Sequence, residues 1–93
     1  MRTIDRTNQF KRDLKSELAG RYKNVLTTDF ITIVERLAAD QPLPQKCFDH
    51  ALTRNWSDHR HCHVKPDLIL INRIPDAKTL QLVSIGSHSE LGL

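Results

Sequence analysis

The stretch that decides the fold is Asp67-Leu68-Ile69-Leu70-Ile71-Asn72-Arg73-Ile74, then Pro75-Asp76-Ala77-Lys78, then Thr79-Leu80-Gln81-Leu82-Val83-Ser84-Ile85. Leu68 to Ile71 is an unbroken apolar run of strand length, rich in β-branched residues, which suits a central position in a sheet. Pro75 to Lys78 has turn chemistry, and Thr79 to Ile85 is again rich in Leu, Val and Ile. The link is too short for a parallel crossover, which needs a dozen or more residues, so the two strands form an antiparallel hairpin.

Working outward toward the N-terminus, Asp58 to Val64 reads as a polar strand and Phe48 to Thr53 as a weak one. Before Pro42-Leu43-Pro44 the period changes from two to 3.6. Phe30, Ile33, Val34, Leu37 and Ala38 follow the i, i+3, i+4, i+7, i+8 stripe of a helix, with Thr27, Thr28 or Asp29 as N-cap and the prolines as its end. An earlier helix carries Phe10, Leu14 and Leu18 on one face and Lys11, Arg12 and Lys15 on the other, capped by Thr7 or Asn8 and stopped near Gly20. Arg2 to Arg6 is a short strand. The order is β-α-α-β-β-β: an α+β fold, a small twisted antiparallel sheet with two N-terminal helices packed on one face.

With 93 residues, the chain has room for one domain, 1–93. No apolar run approaches the roughly 20 residues of a membrane span, and Met1 to Arg6 lacks the apolar core of a secretory signal, so a cytoplasmic protein with no membrane partner is expected. Fourteen basic residues against eleven acidic ones give a net charge of +3. Residues 1–25 hold seven cations and three acids, a balance that permits a polyanionic partner. Cys47 and Cys62 have no metal-site or disulfide-framework spacing.

Four of the five histidines, His50, His59, His61 and His63, fall within fourteen residues, and His88 follows the last strand. Strand alternation puts His59, His61 and His63 on one face, spaced about 7 Å apart, and Arg60 and Cys62 on the other. Three readings are open at this point. The histidines could form a solvated polar strand. They could ligate zinc or copper with help from His88 or Asp67. Or they could move protons near neutral pH, with His50, His63, His88, Asp67 and Arg60 as the site.

The motif Asp49-His50-x-Leu52-x-x-x-Trp56-x-x-x-Arg60-x-x-His63-Val64-x-Pro66-Asp67-x-Ile69-Leu70-Ile71, followed by Gly86-Ser87-His88-Ser89-x-Leu91, resembles the YafQ-type mRNA interferases, a branch of the RelE/ParE toxin superfamily. The helix Phe10-Lys11-Arg12-Asp13-Leu14-Lys15 fits the same family. The resemblance implies a ribosome-dependent endoribonuclease of a type II toxin–antitoxin system, in which the ribose 2′-OH attacks the neighbouring phosphate. No metal or cofactor is then required, because the nucleophile belongs to the substrate. By position, His50, His63, Asp67 and His88 match the catalytic set. His50 or His63 would be the base, and His88 the acid or a phosphate ligand. Asp67 would orient a tautomer or take the proton, and Arg60 would clamp a phosphate.

The resemblance further implies RNA or phosphate contacts from His59, His61, Lys11, Arg12 and Lys15. It also implies a DinJ-like antitoxin, forming a heterotetramer, as partner beside the ribosome and mRNA. Two residues depart from the family pattern. Position 61 is usually acidic and here is His61, and the aromatic expected after Leu91 is replaced by Gly92-Leu93, removing a stacking contact worth about 1–3 kcal/mol. The competing readings are a RelE/ParE-fold toxin that acts by binding alone, as the gyrase-directed branch does, and a histidine-rich metal-binding protein. Trp56 reads as sheet packing or, alternatively, as a stacking platform.

Overall fold

A computed structural model describes residues 1–20, 22–47, 50–51 and 58–93; for Lys46, His50 and Ala51 the description is of the backbone. The elements run β1 (Thr3–Arg6), α1 (Asn8–Leu18), α2 (Lys23–Leu26), α3 (Asp29–Ala38), a 3₁₀ turn (Gln45–Cys47), β2 (His50–Ala51), β3 (Arg60–Lys65), β4 (Leu68–Asp76), β5 (Thr79–Gly86) and α4 (His88–Leu91). The strand expected over 48–53 lies within the described residues only at β2, and Trp56 lies outside them.

Both expected helices form where their apolar stripes lie. Thr7 caps α1, its hydroxyl accepting the Phe10 N–H at 3.0 Å. Phe10 is fully buried and stacks on Phe30 of α3, ring centroids 6.1 Å apart. Leu18 is 39% exposed; the stripe ends at Leu14, which packs against the core. All five stripe residues of α3 are buried. That helix stops before the prolines are reached: Asp40 takes a left-handed φ of 57°, and Gln41 N–H closes on the Arg36 carbonyl at 2.8 Å.

The sheet order is β1-β5-β4-β3-β2. β2, β3, β4 and β5 pair antiparallel in succession, as the short connections require. β1 pairs parallel with β5, so the sheet is mixed rather than antiparallel throughout. No hairpin constrains β1, which is separated from β5 by the helices and most of the chain. Cys62, Val64, Leu68, Leu70, Leu80, Leu82 and Ile85 face the helices and complete one core with them. Ile69 and Ile71 are equally buried but lie outside that core, on the opposite face of the sheet. The two cysteines are buried free thiols.

Candidate active site

The site is assembled by strand register. Ile69 of β4 pairs with Gly86 of β5, and continuing that ladder two residues outward brings Asp67, in the β3–β4 turn, to His88 at the start of α4. Asp67 Oδ1 stands 2.9 Å from His88 Nδ1 and accepts the His88 backbone N–H at 3.1 Å. A carboxylate only accepts, so His88 carries its proton on Nδ1 and turns Nε2 outward. The other neighbour of Ile69 is His63 of β3. Its Nε2 lies 3.4 Å from His88 Nε2, with the rings 5.3 Å apart. His61, two residues back on the same face, meets His63 edge-on at 5.5 Å.

Ile69 and Ile71, the register partners of His63 and His61, are fully buried beside them on the same face of the sheet. The rim is open: the side chains of His88 and Asp67 are 46% and 51% exposed. A cleft of about 510 Å³ opens beside His63, with Ile33, Cys47 and Val64 among its walls and the Lys65–Asp29 ion pair (3.1 Å) among its lining residues.

α4 is held in place locally. Ser87 and Glu90 form a reciprocal capping box, with Glu90 Oε1 accepting the Ser87 N–H at 2.9 Å. The Glu90 carboxylate lies over Gly86, where a Cβ would meet it at 3.2 Å. Behind the site, β1 pairing ends at Leu82, and β5 bulges between its Leu82 and Ser84 pairings. The edge of β5 beyond that point is satisfied from α1 instead. The Thr7 hydroxyl donates to the Val83 carbonyl at 2.7 Å, and Asp13 accepts the Ile85 N–H at 3.2 Å and the Ser84 hydroxyl.

Of the residues expected from sequence, the structure thus brings together His63, Asp67 and His88, with His61 beside them. His50 is described by its backbone, which pairs with His61. His59 is half-buried just before β3. Arg60 is not brought to the imidazoles: the irregularity in β3 lies between His63 and Lys65, so alternation from Arg60 to His63 is intact and Arg60 shares its side with Cys62. A bulge before His61 would have been needed to turn it. Lys11, Arg12 and Lys15 line the exposed side of α1, in the helical layer, where Arg12 Nη2 donates to Gln9 Oε1 at 3.0 Å. Sequence reasoning missed Arg73, which alternates with Ile69 and Ile71 and so lies on the histidine face. It also passed over Asp13, the acid in the middle of a basic helix motif. Alternation along β4 was a readable signal for Arg73; nothing local marks Asp13.

Fold and site together define a small α+β protein with a histidine–aspartate face, and known proteins share its fold. The family described as bacterial toxin of type II toxin-antitoxin system, YafQ, matches residues 2–92. An Escherichia coli protein named mRNA interferase toxin YafQ is 32% identical, over 97% of this chain and 95% of its own. A metal-bound toxin from Helicobacter pylori superimposes with a TM-score of 0.84 at 40% identity, covering 98% of this chain and 99% of that one. YafQ in the E. coli DinJ–YafQ complex superimposes at 0.78 with 30% identity, covering 98% of each chain. The chain belongs to the YafQ family of type II toxin–antitoxin toxins.

Proposed function

We propose that this toxin is an mRNA endoribonuclease acting on the ribosome, with His63 and His88 as its proton-transfer pair and Asp67 orienting His88. The observation that carries the reading is the chain of contacts from Asp67 Oδ1 through His88 to His63 Nε2. Of the two imidazoles, His88 is the one whose Nδ1 is held by a carboxylate, which fixes its Nε2 toward the leaving group and assigns it the acid's role. His63 is then the base. The scissile phosphate parts the two nitrogens. His63 Nε2 takes the 2′-OH proton, the 2′-oxygen bonds to phosphorus, and the bond to the 5′-oxygen breaks as His88 Nε2–H supplies its proton. The products are a 2′,3′-cyclic phosphate and a 5′-OH.

His61 extends the imidazole row toward flanking RNA, and the exposed Lys11, Arg12 and Lys15 meet RNA phosphates. The cognate inhibitor is a DinJ-like antitoxin, and the site of action is the cytoplasm, where ribosomes are. Among the described residues no helix is long and apolar enough to cross a membrane. Primer extension on translated mRNA reads the activity. His63→Ala and His88→Ala each lower single-turnover cleavage by about 10²–10⁴-fold, and unchanged rates in both remove the assignment.

A metal has a second claim on the same atoms. Two imidazole nitrogens ligating one tetrahedral ion stand about 3.3 Å apart, close to the separation of the two Nε2 atoms here. Two ligands fit, but among the described residues no group of three His, Cys, Asp or Glu could hold an ion. In this reading the ion is an inhibitor that occupies the base and the acid at once. Cleavage therefore persists in EDTA and falls when zinc or copper is added. Loss of cleavage in EDTA, restored by metal, would reverse that order.

A further inference from the structure

The substrate of the proposed reaction is a polyanion, and the cation expected to clamp it, Arg60, lies on the wrong side of β3. β4 supplies another. Arg73 follows Asn72, which pairs with Arg60 and is buried on the helix side, so the pleat turns Arg73 to the side of Ile71 and His61. Its side chain is half-buried. Nε is shut off from solvent with no hydrogen-bond partner, and no carboxylate pairs with the guanidinium among the described residues. The acid on its own side that could do so, Asp5 across β5, instead accepts from Gln81 Nε2 at 3.0 Å, and Gln81 is the register partner of Arg73. A half-buried guanidinium with no counter-ion among the described residues, on the face proposed to receive RNA, is a site that suits an anion. Its planar fork suits a phosphate bidentately.

We infer that Arg73 binds an RNA phosphate beside the scissile link, an inference that rests on the ribonuclease reading. Neighbouring strands lie about 4.8 Å apart and two residues span about 6.8 Å, which puts Arg73 roughly 8 Å from His61 and farther from His63. Arg73 therefore meets the RNA next to the reacting phosphate and not at it, and it acts on binding rather than on the chemical step. The phosphate comes either from the mRNA strand or from the ribosomal RNA wall; the contact chemistry is the same.

The test is Arg73→Gln and Arg73→Lys in the full chain, assayed on ribosomes programmed with mRNA. Arg73→Gln raises KM about tenfold with kcat within about threefold, and the slope of log affinity against log salt falls by about 0.7–0.9, one phosphate contact. Arg73→Lys, which keeps the charge, recovers most of the KM. Messenger RNAs carrying one neutral methylphosphonate at successive positions separate the sources. If the phosphate is the messenger's, one position abolishes the difference between wild type and Arg73→Gln. If it is ribosomal, no position does, and affinity for ribosomes with an empty A site falls instead. A folded Arg73→Gln with wild-type KM and ribosome affinity overturns the inference, as does a variant that loses only antitoxin affinity, or an Arg73→Lys as impaired as Arg73→Gln. A wild-type protein that cuts no RNA at all, with or without ribosomes, sinks the ribonuclease reading and not merely Arg73.

Discussion

The two faces of one sheet differ in what they ask of their residues. On the helix side, Cys62, Val64, Leu68, Leu70, Leu80 and Leu82 interlock with Phe10, Phe30, Ile33 and Leu37, and these side chains are there for packing. On the other side, Ile69 and Ile71 are just as buried, yet above them stand three imidazoles, an aspartate and an arginine. Strand alternation makes the division: in β3, His61 and His63 go one way, and Cys62 and Val64 the other. One face contributes stability and holds the other rigid enough to keep its imidazoles and aspartate in register, so substitutions on the two faces have separable consequences.

The sharpest way to break that separation is at Phe10, which is fully buried at the α1–α3 contact. Phe10→Ala costs about 3–5 kcal/mol of stability, read by urea unfolding, while the fraction that stays folded cleaves at the wild-type rate. His63→Ala is its mirror image: cleavage is lost and the unfolding midpoint stays put. A His63→Ala protein that unfolds as readily as Phe10→Ala would show that the imidazoles are part of the core and that the two faces are one. A smaller effect, at the seam between them, sharpens the comparison. Asp13 lies on α1 but holds the Ser84–Ile85 edge of β5, three residues before His88. Asp13→Ala leaves a buried N–H and hydroxyl without their acceptor and costs about 1–3 kcal/mol. Asp13→Asn keeps one acceptor oxygen and costs less. A neutral Asp13→Ala in unfolding would mean that water replaces the carboxylate.

Much of this was legible in the residues before any coordinates. α3 and the β4–β5 hairpin follow from periods of 3.6 and 2 with turn chemistry between them. His50, His63, Asp67 and His88 were readable as a set through family resemblance, and the ladder explains why the last three meet. What was not legible has physical causes. The direction of β1 is set by pairing across most of the chain, not by any local link. α2 and α4 are single turns, too short to nucleate alone, and they form because packing and capping hold them. The choice between Arg60 and Arg73 turned on the pleat. Arg60 carries the family resemblance but shares its side with Cys62, whereas Arg73 carries none and lies on the same sheet face as the imidazoles. The Asp13 clamp pairs residues more than seventy positions apart, which no window along the chain can see.

Because Asp67 and His88 are neighbours only by extension of the Ile69–Gly86 pairing, the spacing of the chain itself decides which groups meet. Adding or deleting one residue between Gly86 and His88 would leave every functional side chain present and still hand Asp67 a different partner. Drift in this toxin is therefore freer in what its strands are made of than in how many residues they count.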